Sequence, residues 1–384
     1  MFIRTSSIDK FRELLLTGEK QYIFLVGEYE SGKSYILHAL REDGSLNPAT
    51  TVWLDPHDEG IAEQIRSLDA SIKTLVFDNE HGIDVNYFRS FIESYQIDYR
   101  CIFTTEGRID DELGENFLIP FVGFREYTDT MGYSLRMSDI LSGNANISEL
   151  NMLKDTYITL GDHPRHISNP ETIHPDFDNI CSIIESELFD KEHIQFMEFF
   201  RALAMETGNC FKADKLAHLL GITRRKVNKY MEVLMKHAIV KAVGPWVQDM
   251  ETETSRHVKI YFRDLSILRS LLGDMYYQGA MKLWALENFI LLELDRKLSS
   301  THDIFYYRKK SGSEVTFILE ERTTKKLTPM EVVARDCQTV SQALKSFDSD
   351  YHTRVEHYMI MNESMAEKRE LAWTPIFILP HATI

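Results

Sequence analysis

The sequence predicts an α/β fold: a parallel, doubly wound sheet first, then an all-helical segment, a helix-turn-helix and a C-terminal α+β unit. Three observations carry this expectation. Short apolar runs alternate with amphipathic stretches over the first 140 or so residues. A glycine-bracketed loop ending in Gly-Lys-Ser joins the first of those runs to a helical pattern. Beyond residue 281 a long helical stretch is followed by several strand-like runs.

The elements follow in order. The apolar runs are YIFLV (22–26), TVWL (51–54), TLVF (74–77), CIFTT (101–105) and FLIPF (117–121). They are almost continuously apolar, as strands buried on both faces should be. The stretches SYILHALRE, GIAEQIRSL and NYFRSFIESY supply helices between them. From 135 to 208, apolar residues recur at helical spacing without a strand pattern. Within that segment 161–176 carries three prolines and reads as a loop; its His163 and His166 alone do not make a metal site. From 209 to 265 two helices flank a turn at 221–223, and AIVKAVG and HVKIYF are expected to pair as a wing. The remainder reads as the helix 281–298 followed by an alternating-strand meander, IFYYRKK, SEVTFILEE, LTPMEVVA and EHYMIM, with TPIFILP closing the chain. Four parts result: 1–134, 135–208, 209–265 and 266–384.

Composition narrows the functional classes. The chain has 384 residues and a formal net charge of -16, which argues against a surface that wraps nucleic acid or an anionic membrane as a whole. Four cysteines, Cys101, Cys181, Cys210 and Cys337, are far apart and form no CxxC pair, so neither a zinc site nor a disulfide framework is signalled. The N-terminal stretch has no leader pattern, and no run of about 18 apolar residues occurs. A cytoplasmic protein without membrane contact is expected.

Gly27-Glu28-Tyr29-Glu30-Ser31-Gly32-Lys33-Ser34 fits G-x-x-x-x-G-K-[ST], between an apolar strand and a helix. Such a loop offers backbone N–H groups and a helix N-terminus to phosphate. Lys33 would reach the β- and γ-phosphates of ATP, and the Ser34 hydroxyl would ligate Mg²⁺. Asp78, closing the run TLVF, is the second Mg²⁺ group. Asn79 follows it where a catalytic Glu is usual, and Glu80 comes one place later, so slow hydrolysis with Glu80 near the attacking water is expected. Thr104 and Thr105 end the fourth run, where a polar sensor of the γ-phosphate belongs; a plain strand end is the alternative. Arg108 and Arg125 are the arginines considered for a finger role.

With these motifs in view the chain resembles the AAA-type P-loop ATPases of bacteria and archaea that carry a C-terminal DUF4143 region, which is itself similar to restriction-endonuclease-like nucleases. The matching stretches are GEYESGKS, LVFDNE, IPFVGFREY, GDHPRHI, the helix-turn-helix, YFRDLSILRSLLG, GAMKLWALENFILLEL, YYRKKSGSEVTF and TPMEVVA, in that order. The resemblance implies a P-loop NTPase core over 1–134, a helical lid over 135–208, a winged helix over 209–265 and a degenerate PD-(D/E)XK nuclease-like domain over 266–384. In the nuclease-like part, Glu287 matches the family's helix carboxylate and Glu331 its third-strand carboxylate. Thr316 stands where the metal-binding Asp belongs and Val333 where the Lys belongs, so nuclease chemistry is not expected. Glu314 lies about 7 Å along the strand from Thr316, too far to replace the Asp.

The segment 211–246 holds six Lys and two Arg against Asp214 and Glu232. Thr223, Arg224, Arg225, Lys226 and Lys229 gather at the start of the second helix, where a helix-turn-helix meets DNA. The competing reading pairs this basic face with the acidic body of the same chain. Two functions stay open. One is an ATPase that moves a winged helix and an inactive nuclease-like domain on DNA, in genome defence or mobile-element biology. The other is a nucleotide-dependent switch or scaffold that binds a protein. Homo-oligomers are compatible with both.

Overall fold

The structure is a computed structural model. It describes residues 5–27, 31–55, 57–78, 90, 94, 99–109, 112, 114–119, 121–133, 146–168, 177–188, 193–248, 257–298, 300–333, 341–356, 358–362 and 373–375. The chain divides into two compact units, Met1–Val122 and Gly123–Ile384.

The first unit is built on a five-stranded parallel sheet of order β2-β3-β4-β1-β5. The strands are β1 (Tyr22–Val26), β2 (Thr51–Leu54), β3 (Thr74–Phe77), β4 (Arg100–Thr105) and β5 (Gly114–Leu118). Helices α1 (Thr5–Thr17), α2 (Lys33–Glu42) and α3 (Ile61–Arg66) accompany them. Alternation along the strands separates two apolar layers. Phe24, Val26, Phe77 and Phe103 pack with Leu54, Ile61 and Ile109 on one side. Ile23, Leu25, Val76 and Ile102 pack against Phe11 of α1 and Ile36, Leu37 and Leu40 of α2 on the other. The Phe77 and Phe103 rings stack 4.6 Å apart, which fixes the two central strands side by side.

The fifth strand departs from the expectation. It runs Gly114–Leu118 rather than 117–121, and all five residues are half-buried. All five positions of the strand keep partial access to water, so Glu115 and Asn116 are tolerated and the strand need not be uniformly apolar. Asn116 also bridges Ile109, accepting from its N–H at 3.0 Å and donating to its carbonyl at 2.8 Å.

In the second unit, helices α4 (Phe124–Thr130), α5 (Ile147–Leu160), α6 (Pro164–Ser168), α7 (Phe177–Leu188) and α8 (His193–Ala204) come first. The stretch read as a proline loop therefore contains a short helix. Pro164 opens it, because a missing N–H costs nothing in a first helical turn. Its His163 and His166 are buried, not solvated. Helices α9 (Ala213–Leu220) and α10 (Arg224–Lys236) follow, joined through Gly221, whose φ of 65° ends α9 in the left-handed region. Strands β6 (Val240–Val243) and β7 (Lys259–Phe262) form an antiparallel pair.

Helix α11 (Leu265–Leu272) and the long α12 (Gly279–Leu298) lead to a second sheet. Its strands are β8 (His302–Arg308), β9 (Glu314–Glu321), β10 (Leu327–Val333), β11 (Met359–Asn362) and β12 (Trp373–Pro375), in the order β12-β11-β10-β9-β8. The expected meander holds only for β8, β9 and β10, which are antiparallel. β10, β11 and β12 run parallel. A parallel return needs a crossover, and helix α13 (Gln342–Tyr351) lies between β10 and β11 to supply it.

The β8 edge is not left open. Trp246 donates its N–H to the Tyr306 carbonyl at 2.7 Å, and Tyr306 donates to the Gly244 carbonyl at 3.0 Å. The Gly-Pro-Trp segment after β6 thus adds itself to the sheet. Trp246 then packs edge-on against Phe347 and Tyr351 of α13.

Candidate nucleotide site and two polar clusters

The loop between β1 and α2 is built at the C-terminal ends of the parallel strands, where open α/β sheets form their ligand crevices. Gly27 donates to the Thr105 carbonyl at 3.0 Å, which ties the loop to β4. Gly32 has φ 95°, a conformation that a side chain would strain, and it starts α2. Lys33 is 5% exposed and donates from Nζ to the Gly27 carbonyl at 2.7 Å, folding back across the loop. Ser34 Oγ donates to Asp78 Oδ1 at 3.0 Å. Ser31 Oγ is fully buried and, among the described residues, has no hydrogen-bond partner. Glu28, Tyr29, Glu30, Asn79 and Glu80 lie outside the described residues.

Strand alternation separates the two threonines. Asp78 and Thr104 lie two residues on from Val76 and Ile102, so they belong to the α2 side of the sheet. Thr105 belongs to the opposite side with Phe103. Thr104 is buried and its Oγ1 donates to the Phe77 carbonyl at 3.4 Å, one residue before Asp78. The structure therefore gathers Lys33, Ser34, Asp78 and Thr104 at one end of the sheet. Ser34 and Asp78 offer hydroxyl and carboxylate oxygens, the ligand type a hard divalent cation takes. Arg108 and Arg125 are both exposed.

The basic helix is only partly available. Thr223 caps α10, its Oγ1 accepting from Lys226 N at 3.2 Å. Arg224 pairs with Asp214 at 3.3 Å, Lys215 with Glu206 at 2.5 Å and Lys236 with Glu187 at 2.6 Å. Lys226 turns inward, donating to Gln195 and lying 5.6 Å from the Tyr230 ring centroid. Arg225 and Lys229, one helical turn apart, are exposed and make no ion pair among the described residues.

The residues matched to the nuclease-like constellation each have local partners. Thr316 Oγ1 accepts from Val332 N at 3.4 Å. Glu331 accepts from the Ser341 hydroxyl, and burial pushes its carboxyl up despite that bond. Val333 packs into the apolar cluster of Phe347 and Leu344. Glu287, on α12, accepts from Tyr261 Oη at 3.2 Å, and burial pushes it up to about 7.

One cluster had no signal in the sequence. Arg296 of α12 donates to Glu293 Oε1 at 2.5 Å and to Asp162 Oδ2. Asp162 Oδ1 also accepts from Leu265 N at 3.0 Å, and Glu293 Oε1 from Phe124 N at 3.0 Å. One buried guanidinium thus holds together α4, the 161–163 turn, α11 and α12. GDHPRHI and GFREY supply Asp162 and Phe124 to it.

Comparison with known proteins supports the C-terminal part of the resemblance. Residues 284–378 match the family model DUF4143, a domain of unknown function. Residues 172–276 match DUF8612, also a domain of unknown function. These two models leave 1–171 uncovered. A stretch of 121 residues is 26% identical to an uncharacterized protein of Mycobacterium bovis and equally to one of Mycobacterium tuberculosis. It covers 31% of this chain and 27% of each relative, so the match spans about a quarter of those proteins. No helix among the described residues is long and apolar enough to cross a membrane.

Proposed function

We propose that the chain is an AAA-like P-loop ATPase that binds ATP at residues 27–34 and hydrolyses it slowly. The observation that carries this reading is the Ser34 Oγ to Asp78 Oδ1 hydrogen bond of 3.0 Å, beside a lysine at the first position of α2. Hydroxyl and carboxylate already face each other where a phosphate-bound cation needs both. Ser34 and Asp78 are the residues that would hold Mg²⁺, which supplies charge neutralisation on the phosphate oxygens. Lys33 must leave the Gly27 carbonyl to meet the β- and γ-phosphates, so binding exchanges an internal hydrogen bond for a charge-assisted one. The Ser31 hydroxyl is a further donor in the loop. Thr104 is the γ-phosphate sensor of this reading, because it shares the Asp78 side of the sheet. Glu80 remains the residue proposed to orient water.

The second half of the proposal concerns the partner. Arg225 and Lys229 support a DNA contact by a winged helix, since they are exposed and uncommitted cations at the start of a capped helix. Nucleotide state would then bias how the helical and C-terminal parts engage DNA; a protein-binding switch is the alternative if DNA is not bound.

The test is ATP binding, read as thermal stabilisation, together with phosphate release. At 100 times Kd, ATP should stabilise the wild type by about 2.7 kcal/mol. Lys33→Ala and Asp78→Asn should lose that gain. Phosphate release that is equal in wild type and Lys33→Ala would sink the ATPase reading.

A further inference from the structure

Lys259 has no place in either proposed site, yet its side chain is 2% exposed. It projects from β7 and forms an ion pair with Glu314 of β9. Its ammonium lies 5.4 Å from the Tyr306 ring centroid. Tyr261 is two residues further along β7, so the two side chains share a face. Tyr261 carries the hydrogen bond to Glu287 and packs 5.9 Å from the Phe317 ring. Three charges therefore act on one another here. Burial raises the Glu287 carboxyl, the Lys259 charge lowers it and the Glu314 charge raises it. Arg308 Nη1 stands 3.7 Å from the second Glu314 oxygen.

A nuclease-like constellation would use such carboxylates to hold a divalent metal. The residues present do not fit one. Thr316 and Glu331 are engaged by Val332 and Ser341, and a buried ammonium already neutralises the carboxylate beside Glu287. The Lys259 charge beside Glu287 repels a divalent ion, and Glu314, 31% exposed, is already paired with that ammonium. We propose that the Lys259 ammonium is the resident cation of this cluster, standing in for a metal ion and fastening the β6–β7 pair to the C-terminal sheet. The domain is then a scaffold whose charge balance is internal. The rival arrangement, in which Lys259 serves as a catalytic lysine beside a bound metal, makes the opposite prediction.

Terbium luminescence distinguishes them. A methyl group placed on Gly208 would lie 3.1 Å from Glu287 Oε2 and 3.6 Å from Trp284 Cδ1, so indole and carboxyl are neighbours and Trp284 reports a lanthanide bound there. Wild type and Glu287→Gln should give the same Trp-sensitised Tb³⁺ signal. Lys259→Met should gain signal, and Lys259→Met with Glu287→Gln should lose it again. A wild-type signal abolished by Glu287→Gln overturns the proposal, as does a folded Lys259→Met that gains none. Stability gives a second readout. Lys259→Met should lower the unfolding midpoint, and adding Glu314→Gln should recover more than half of that loss; no recovery overturns the charge-balance argument. If Lys259→Met does not fold, the wild-type and Glu287→Gln comparison still decides.

Discussion

Replacing Arg296 by Met tests whether the buried guanidinium holds the second unit together. Methionine keeps much of the volume and removes the charge. The guanidinium is 13% exposed, and its partners Asp162 and Glu293 are 0% and 4% exposed. Burial by itself would lower the Arg296 pKa, but Tyr157, Glu293 and Asp162 more than reverse this and keep it charged. Without it, the two core carboxylates keep the Leu265 and Phe124 N–H groups as hydrogen-bond donors. Removing one partner of a buried pair costs about 3–5 kcal/mol. For a unit of this size that is a fall of about 6–20 °C in Tm. The assay is thermal unfolding of the full chain by near-ultraviolet circular dichroism. The triple variant Arg296→Met, Asp162→Asn, Glu293→Gln removes the stranded charges, while the amide oxygens can still accept from Leu265 and Phe124. It should recover more than half of the loss. A single variant within about 1 kcal/mol of wild type, or a triple variant no better than the single, would refute the reasoning.

Two further outcomes are expected. Burial pushes the Glu287 carboxyl up to about 7, above the usual carboxylate range; the native state therefore holds its proton longer, and stability falls as pH rises from about 4.5 through 7, by at most about 3 kcal/mol. Glu287→Gln should flatten denaturation midpoints measured across that window, and an unchanged slope would count against a buried protonated Glu287. If α10 meets DNA, Arg225→Glu with Lys229→Glu should reduce the magnitude of the salt slope of binding by about 2; Lys226→Ala, already engaged by Gln195 and Tyr230, should leave it unchanged in fluorescence anisotropy.

The parts legible in the sequence were those set by local pattern. Strands β1, β3 and β4 are largely buried and apolar, so their positions follow from the runs themselves, and the edge strand β2 is apolar enough to be read the same way. Strand β5, half-buried throughout and carrying Glu115 and Asn116, lies three residues before the apolar run. Gly32, Lys33, Ser34 and Asp78 stood out because the phosphate-loop pattern has a fixed spacing and expects an acidic residue at the end of a neighbouring strand, and the structure brings Ser34 and Asp78 within 3.0 Å of each other. Thr104 and Thr105 could not be separated until the pairing of β4 assigned each to a face. Helix α13 was missed because QALKSFDSDY is short and polar, and only its Ala343, Leu344 and Phe347 face the sheet. The Arg296 and Lys259 clusters were invisible for a different reason. Their partners lie 134 and 55 residues away in the chain, and periodicity does not register such pairings.

The strand-like addition of Gly244, Pro245 and Trp246 to β8 bears on inheritance. The regions matching DUF8612 and DUF4143 are delineated separately, at 172–276 and 284–378. Yet the first lends the second three residues of edge cover and one wall of its aromatic cluster. A recombination crossover in the seven residues between them would part Trp246 from Phe347 and uncap a strand. Productive shuffling would have to move the pair as one cassette.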